Sequence, residues 1–255
     1  MPEADVLEAD VLEAEGLEKS FGGVRAVRGV SFRVAAGTVV ALIGPNGAGK
    51  STCFNMLGGQ IRPDRGRVLL AGKEIGGLPA RAVWRRGVGR TFQVTATWAS
   101  MTVAENVQVA LTARAGGTWN PWRPARRAHR AEALAVLDQV GLRAEAERAA
   151  GLLAYGDAKR LELAIALAGA PRLLLMDEPT AGMAPGERRA LMALVRRLAS
   201  EGGVAVLFTE HDMDVVFGGT ADRVLVLHRG ALLAEGAPDQ VRADPAVRAV
   251  YLGEE

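Results

Sequence analysis

Residues 38–52 read TVVALIGPNGAGKST, and the rest of the chain is interpreted outward from them. Thr38 to Ile43 is a compact apolar run, the pattern of a strand buried on both faces. Gly44 and Pro45 end it at once, and a helical pattern begins near Lys50. The turn between them matches G-x-x-x-x-G-K-[ST] in full. Gly44, Gly47 and Gly49 let the backbone turn its N–H groups inward and approach phosphates closely. Lys50 brings a point charge to the β- and γ-phosphates, Ser51 offers a hydroxyl to Mg²⁺, and the helix N-terminus adds its dipole. The candidate phosphate-binding set is therefore Gly44, Pro45, Asn46, Gly47, Ala48, Gly49, Lys50, Ser51 and Thr52.

A second apolar run, LLLMDEP at 173–179, ends in Asp177-Glu178. It delivers two carboxylates to the C-terminal edge of a strand, where open α/β sheets bind ligands. Asp177 is placed to hold Mg²⁺ through water, and Glu178 to polarise a water for attack on a γ-phosphate.

Strands and helices alternate around these two motifs. Residues 30–34, 66–72 and 86–93 read as strands, and strand 172–177, helix 185–200, strand 204–209, a helix near 212–217 and strand 222–228 follow Pro171. Between them the period turns helical, at 101–114, 126–140 and 157–168, with a Gly- and Pro-containing loop at 116–124. This predicts an α/β core with a mainly parallel sheet and a helical insertion. The ADVLE repeat at 4–8 and 9–13 is too short for a solenoid and reads as a frayed acidic extension, residues 1–13.

Composition narrows the class. The 255 residues carry 31 Lys+Arg against 29 Asp+Glu, a net charge of +2 that argues against a nucleic-acid partner. No apolar stretch reaches the roughly 18 residues a membrane span needs. The one cysteine, Cys53, cannot form an internal disulfide and is assigned no chemistry. His129 and His228 have no partner at ligand spacing.

Beyond GPNGAGKST and LLLMDEP, the chain has Gln93 in RTFQ, His211 in TEHDM and LAYGDAKRLEL at 153–163. In order and spacing these five segments resemble the ATP-binding subunits of ABC transporters, from about Gly16 onward. The resemblance implies a P-loop NTPase core with an antiparallel β subdomain and an inserted α-helical subdomain. One ATPase domain would cover 14–255, with its core in 16–93 and 170–255 and the helical subdomain in 94–169. It also implies ATP and Mg²⁺ as ligands. Glu178, His211, Lys50 and Gln93 would then be catalytic, with Ser51, Gln93 and Asp177 around the metal and Phe21 stacked on adenine.

Where the family has its LSGGQ signature, this chain has Ala154, Tyr155, Gly156 and Asp157 after the leucine. The segment would reach the γ-phosphate held by a second ATP-binding subunit, identical or paralogous, with Ala154, Tyr155 and Gly156 as contacts. Ala154 deletes the serine hydroxyl, Asp157 reads as a helix cap, and Lys159 and Arg160 follow to offset its charge. The tyrosine, RTFQ, DEPTAGMAPGE and the ending EGAPDQVRADPAVRAVYLGEE are similar to the branched-chain amino acid uptake group. That implies integral-membrane permease subunits as partners, an extracytoplasmic solute-binding protein acting indirectly, and a place at the cytoplasmic face of the membrane. Trp98, in the loop after Gln93, suits a permease contact or a local packing anchor. The alternative is a soluble ABC-type ATPase or a regulatory nucleotide-binding module not coupled to transport.

Overall fold

The structure is a computed structural model and describes residues 10–91, 97–116 and 129–252. Six strands form the central sheet: β3 (Val39–Ile43), β6 (Val88–Thr91), β7 (Leu173–Asp177), β8 (Ala205–Thr209), β9 (Arg223–His228) and β10 (Ala231–Gly236). Their order is β10-β9-β3-β8-β7-β6, parallel throughout except for the β9–β10 hairpin. In β3, Val39, Ala41 and Ile43 enter one core while Val40 and Leu42 enter the other. β7 and β8 divide in the same way, which is why these runs are apolar at every position rather than alternating.

A second, antiparallel sheet covers one face. It contains β1 (Asp10–Phe21), β2 (Val24–Ala35), β4 (Arg65–Leu70) and β5 (Lys73–Glu74) in the order β2-β1-β4-β5. Its Leu12, Leu17, Phe32, Val34 and Val68 share a core with Phe54, Met56 and Leu57 of α1 (Lys50–Leu57). A short helix, α2 (Ala80–Arg85), leads from this sheet into β6.

The other face carries the helical block: α3 (Val103–Arg114), α4 (Arg130–Gln139) and α5 (Tyr155–Ala168), followed after β7 by α6 (Pro185–Gly202). Thr102 and Glu105 form a reciprocal capping box on α3, and Pro185 opens α6, so both starts follow from local chemistry. The chain closes with α7 (Met213–Val215) after β8, and α8 (Pro238–Ala243) and α9 (Pro245–Leu252) after β10.

The α/β core, the antiparallel subdomain and the helical insertion agree with the sequence reading, with two differences. Residues 10–13 are not a frayed extension, because β1 begins at Asp10 and Leu12 is fully buried. The helix expected near 212–217 is only the short α7, which widens into an irregular turn over Val216–Thr220, where Gly218 and Gly219 leave helical geometry. Most of the loop at 116–124 and the start of the helix placed at 126–140 lie outside the described residues.

Candidate functional site

The strand order puts the C-terminal end of β8 between those of β3 and β7. Thr209 is opposite Leu42 on one side and Asp177 on the other. The Gly44–Lys50 loop, the Asp177-Glu178 pair and the residues after Thr209 therefore converge at one sheet edge, where ligands bind in such sheets. Residues 46–52, Asp177, Glu178, Thr209 and His211 line a cleft of about 290 Å³ together with Ala26.

Two glycines are dictated by close approach. A Cβ on Gly44 would lie 2.2 Å from the carbonyl oxygen of Leu227, and one on Gly49 would lie 2.5 Å from that of Ala26. Gly49 also sits at φ 103°, in the left-handed region. Lys50 folds back over the loop, and its ammonium donates to Gly44 O at 2.6 Å and Pro45 O at 3.2 Å. Burial pushes this ammonium below the ordinary lysine range, and the Glu178 and Asp177 carboxylates oppose that shift.

Thr209 organises the two carboxylates. Its hydroxyl donates to Asp177 Oδ1 at 2.7 Å and accepts the Glu178 N–H at 3.1 Å. Arg90 Nη2 approaches the other Asp177 oxygen at 3.5 Å and also bonds Asn55, while Nη1 bonds Gln60 and the Phe54 carbonyl. Glu178 adopts φ 46°, a left-handed conformation that costs a non-glycine residue about 1–2 kcal/mol. Strain of this kind collects at functional sites. Here it accompanies a close contact, with His211 Nε2 2.7 Å from Glu178 Oε1. Asp212 caps α7 and pairs with Arg188 of α6, which anchors the segment carrying His211.

The other candidates fall elsewhere. Phe21 ends β1 half-exposed, with the Lys19 ammonium 5.6 Å from its ring centroid, and it does not line the cleft. Gln93 lies outside the described residues. Ala154, Tyr155 and Gly156 are also absent from the cleft. Ala154 is the N-cap of α5, so Asp157 is not the cap; it stands in the first turn, 3.8 Å from Arg160. Arg160 offsets that charge, whereas Lys159 is buried and pairs with Glu162 at 3.2 Å. The Tyr155 hydroxyl donates to Ala181 O at 2.9 Å. Trp98 is half-exposed, and Asn106 holds its backbone through both N–H and carbonyl.

Sequence reasoning missed Thr209 and Arg90. Each acts through strand neighbours or turns far away in sequence, and no local motif signals such pairing.

Residues 27–181 match the ABC transporter family. The chain belongs to that family. It is an ATP-binding cassette, a nucleotide-binding ATPase. Its residues 231–255 additionally match the branched-chain amino acid ATP-binding cassette transporter family. Similar proteins include the high-affinity branched-chain amino acid transport ATP-binding protein BraF of Pseudomonas aeruginosa, 44% identical over 94% of the cassette and 96% of BraF. The corresponding protein LivG of Escherichia coli is 41% identical over the same shares. The lipopolysaccharide export system ATP-binding protein LptB of Acidithiobacillus ferridurans is 38% identical over 94% of the cassette and 95% of LptB. Among solved structures, the ADP conformation of an ATP-binding cassette of an ABC transporter aligns with TM-score 0.85 at 33% identity, covering 96% of the cassette and 99% of that chain. A dimeric cassette bound to ADP and phosphate in a post-hydrolysis state aligns with TM-score 0.75 at 25% identity, covering 89% and 98%.

Proposed function

We propose that this cassette is the ATP-hydrolysing subunit of an importer for branched-chain amino acids or a related small solute. The hydrolytic part rests on one observation above all: Lys50, Asp177, Glu178 and His211 line one cleft, with His211 against Glu178 at 2.7 Å. The solute rests on kinship with BraF and LivG and on the branched-chain match at the C-terminal end.

Gly44–Thr52 cradles the phosphates of ATP, and Lys50 exchanges its bonds to the Gly44 and Pro45 carbonyls for phosphate oxygens. Glu178 accepts a proton from the attacking water, and His211 fixes the carboxylate and contacts the γ-phosphate. Gln93 follows β6 by two positions in sequence, and by the family resemblance it would link the nucleotide core to the helical block. Phe21 offers its exposed ring to adenine.

The donor set at this edge fits Mg²⁺. Ser51 and Asp177 line the same cleft, and both present oxygen to a cation that prefers oxygen. Among the described residues no group of three or more His, Cys, Asp or Glu side chains could hold a metal alone. Phosphate oxygens and water would complete the coordination, with Gln93 as a further oxygen ligand. When bound, Mg²⁺ supplies charge neutralisation on the transferring phosphoryl group.

Ala154, Tyr155 and Gly156 open α5 away from the chain's own cleft, as contacts to nucleotide held by a second cassette would require. ATP binding then favours a closed dimer, and hydrolysis releases it. No helix among the described residues is long and apolar enough to cross a membrane. Membrane permease subunits at the cytoplasmic face would convert the closure into transport, with a solute-binding protein acting through them, and the exposed Trp98 is a candidate contact. The test is ATP turnover of the wild type, Lys50→Ala and Glu178→Gln, together with co-purification of permease subunits. Wild-type turnover absent from both variants supports the reading, and variants as active as wild type overturn it.

A further inference from the structure

Glu210 precedes His211 and is only 4% exposed. No cation pairs with its carboxylate among the described residues, and its two oxygens face two different segments. Oε1 accepts the Thr180 N–H at 3.0 Å and the Thr180 hydroxyl at 2.5 Å. Oε2 accepts the N–H of His211 at 3.2 Å. Three hydrogen bonds to a buried carboxylate make a stiff joint, because losing any one leaves a desolvated polar group.

The segment on the far side of this joint is the turn after Glu178. Thr180 is 2% exposed, and the next residue, Ala181, donates its N–H to Glu178 O at 3.2 Å. The Ala181 carbonyl accepts the Tyr155 hydroxyl at 2.9 Å. An unbroken path therefore runs from Tyr155 at the start of α5, through Ala181 and Thr180, to Glu210 and His211, and returns to Glu178 across the 2.7 Å contact. Tyr155 is half-exposed, so its end of the path is open to solvent or to a neighbouring subunit.

We propose that Glu210 is a positioning residue for ATP hydrolysis: it holds His211 against Glu178 and makes that contact depend on where Tyr155 sets the 180–182 turn. The proposal rests on the reading of Glu178 and His211 as the hydrolytic pair. It adds a residue that touches neither nucleotide nor water, and a route by which the signature segment of one subunit adjusts that subunit's own hydrolytic pair.

Glu210→Gln separates the two halves of the joint. The amide oxygen still accepts from Thr180, but the amide NH₂ is set against the His211 N–H, donor facing donor. On the full-length chain, Glu210→Gln is expected to lower kcat about ten-fold, with KM for ATP within about two-fold of wild type. Tyr155→Phe removes the bond to Ala181 and lowers kcat several-fold. The double variant falls no further than Glu210→Gln alone, because the two act in series. Wild-type kcat in Glu210→Gln, or losses that multiply in the double variant, overturn the relay. If Glu210→Gln does not fold, Tyr155→Phe carries the test, since its side chain is exposed, and an unchanged kcat there overturns the proposal. Glu178→Gln is assayed alongside. Full activity in that variant defeats the underlying reading, whereas an inactive Glu178→Gln beside a fully active Glu210→Gln defeats the relay alone.

Discussion

The Nε2 of His211 lies 2.7 Å from Oε1 of Glu178, so side chains from the segments that follow β7 and β8 meet across the cleft. The strand order explains the meeting, because β7 and β8 are neighbours with Asp177 opposite Thr209. The left-handed turn at Glu178 accompanies it.

If the pair acts as one unit, removing either side chain removes most of what both contribute. His211→Ala is expected to lower kcat by about 10²-fold, within the range for a lost acid–base partner, and to leave nucleotide affinity little changed. The Glu178→Gln/His211→Ala double variant is expected to be no slower than Glu178→Gln alone. Single-turnover hydrolysis alongside equilibrium binding of labelled ATP distinguishes this from two independent contributions.

The Thr209 hydroxyl has a sharper signature. It serves Asp177 Oδ1 and the Glu178 N–H at once, and the residue is 1% exposed. Thr209→Val keeps the shape and strips both bonds, leaving a carboxylate oxygen with one donor fewer. The expected cost is about 1–3 kcal/mol of stability by urea denaturation. A fall in kcat of about ten-fold should accompany it, because Asp177 loses its Oδ1 donor and the Glu178 N–H is left to the Thr209 backbone carbonyl at 3.2 Å. Stability loss with unaltered turnover would mean that Thr209 shapes the fold alone.

Gly47 and Gly49 belong to one loop, yet the structure separates them. At Gly49 a Cβ would meet the Ala26 carbonyl at 2.5 Å, whereas at Gly47 it would meet nothing within 4 Å. Gly47→Ala therefore carries only the left-handed backbone cost of about 1–2 kcal/mol. Gly49→Ala must also displace the β2 backbone, and it is expected to abolish ATP binding or folding. Thermal melting with and without ATP ranks the two, and equal effects would contradict this geometry.

The phosphate loop, Asp177-Glu178 and His211 were legible because each is written in contiguous residues at the end of an apolar run. Thr209, Glu210 and Arg90 were not, because their partners are set by strand order and by turns distant in sequence. The start of β1 was obscured by its charge. Asp10 and Glu13 read as part of the acidic extension, but both face Arg33 of β2, while Leu12, between them, is fully buried. Burial of that one leucine stabilises the strand by about 1.5–3 kcal/mol, which an acidic composition does not reveal. Asp157 misled for a related reason: it suits a cap, but the N-cap of α5 lies three residues earlier, at Ala154.

Cys53, on the buried side of α1, supplies a pH test of the core beneath the phosphate loop. Burial pushes its thiol up to about 12 from an ordinary value of 9.0, because no cation or donor compensates for desolvating the thiolate. The folded state thus holds the proton after the unfolded chain has lost it. The thiol's contribution to stability is complete below pH about 9 and is lost as pH rises towards 12, at about 1.4 kcal/mol per unit. The difference in unfolding free energy between wild type and Cys53→Ala should be flat below pH about 9 and shift towards the variant above it. A thiol reagent at pH 8 should label Cys53 only as fast as the protein opens, and rapid labelling of the native chain would contradict its complete burial.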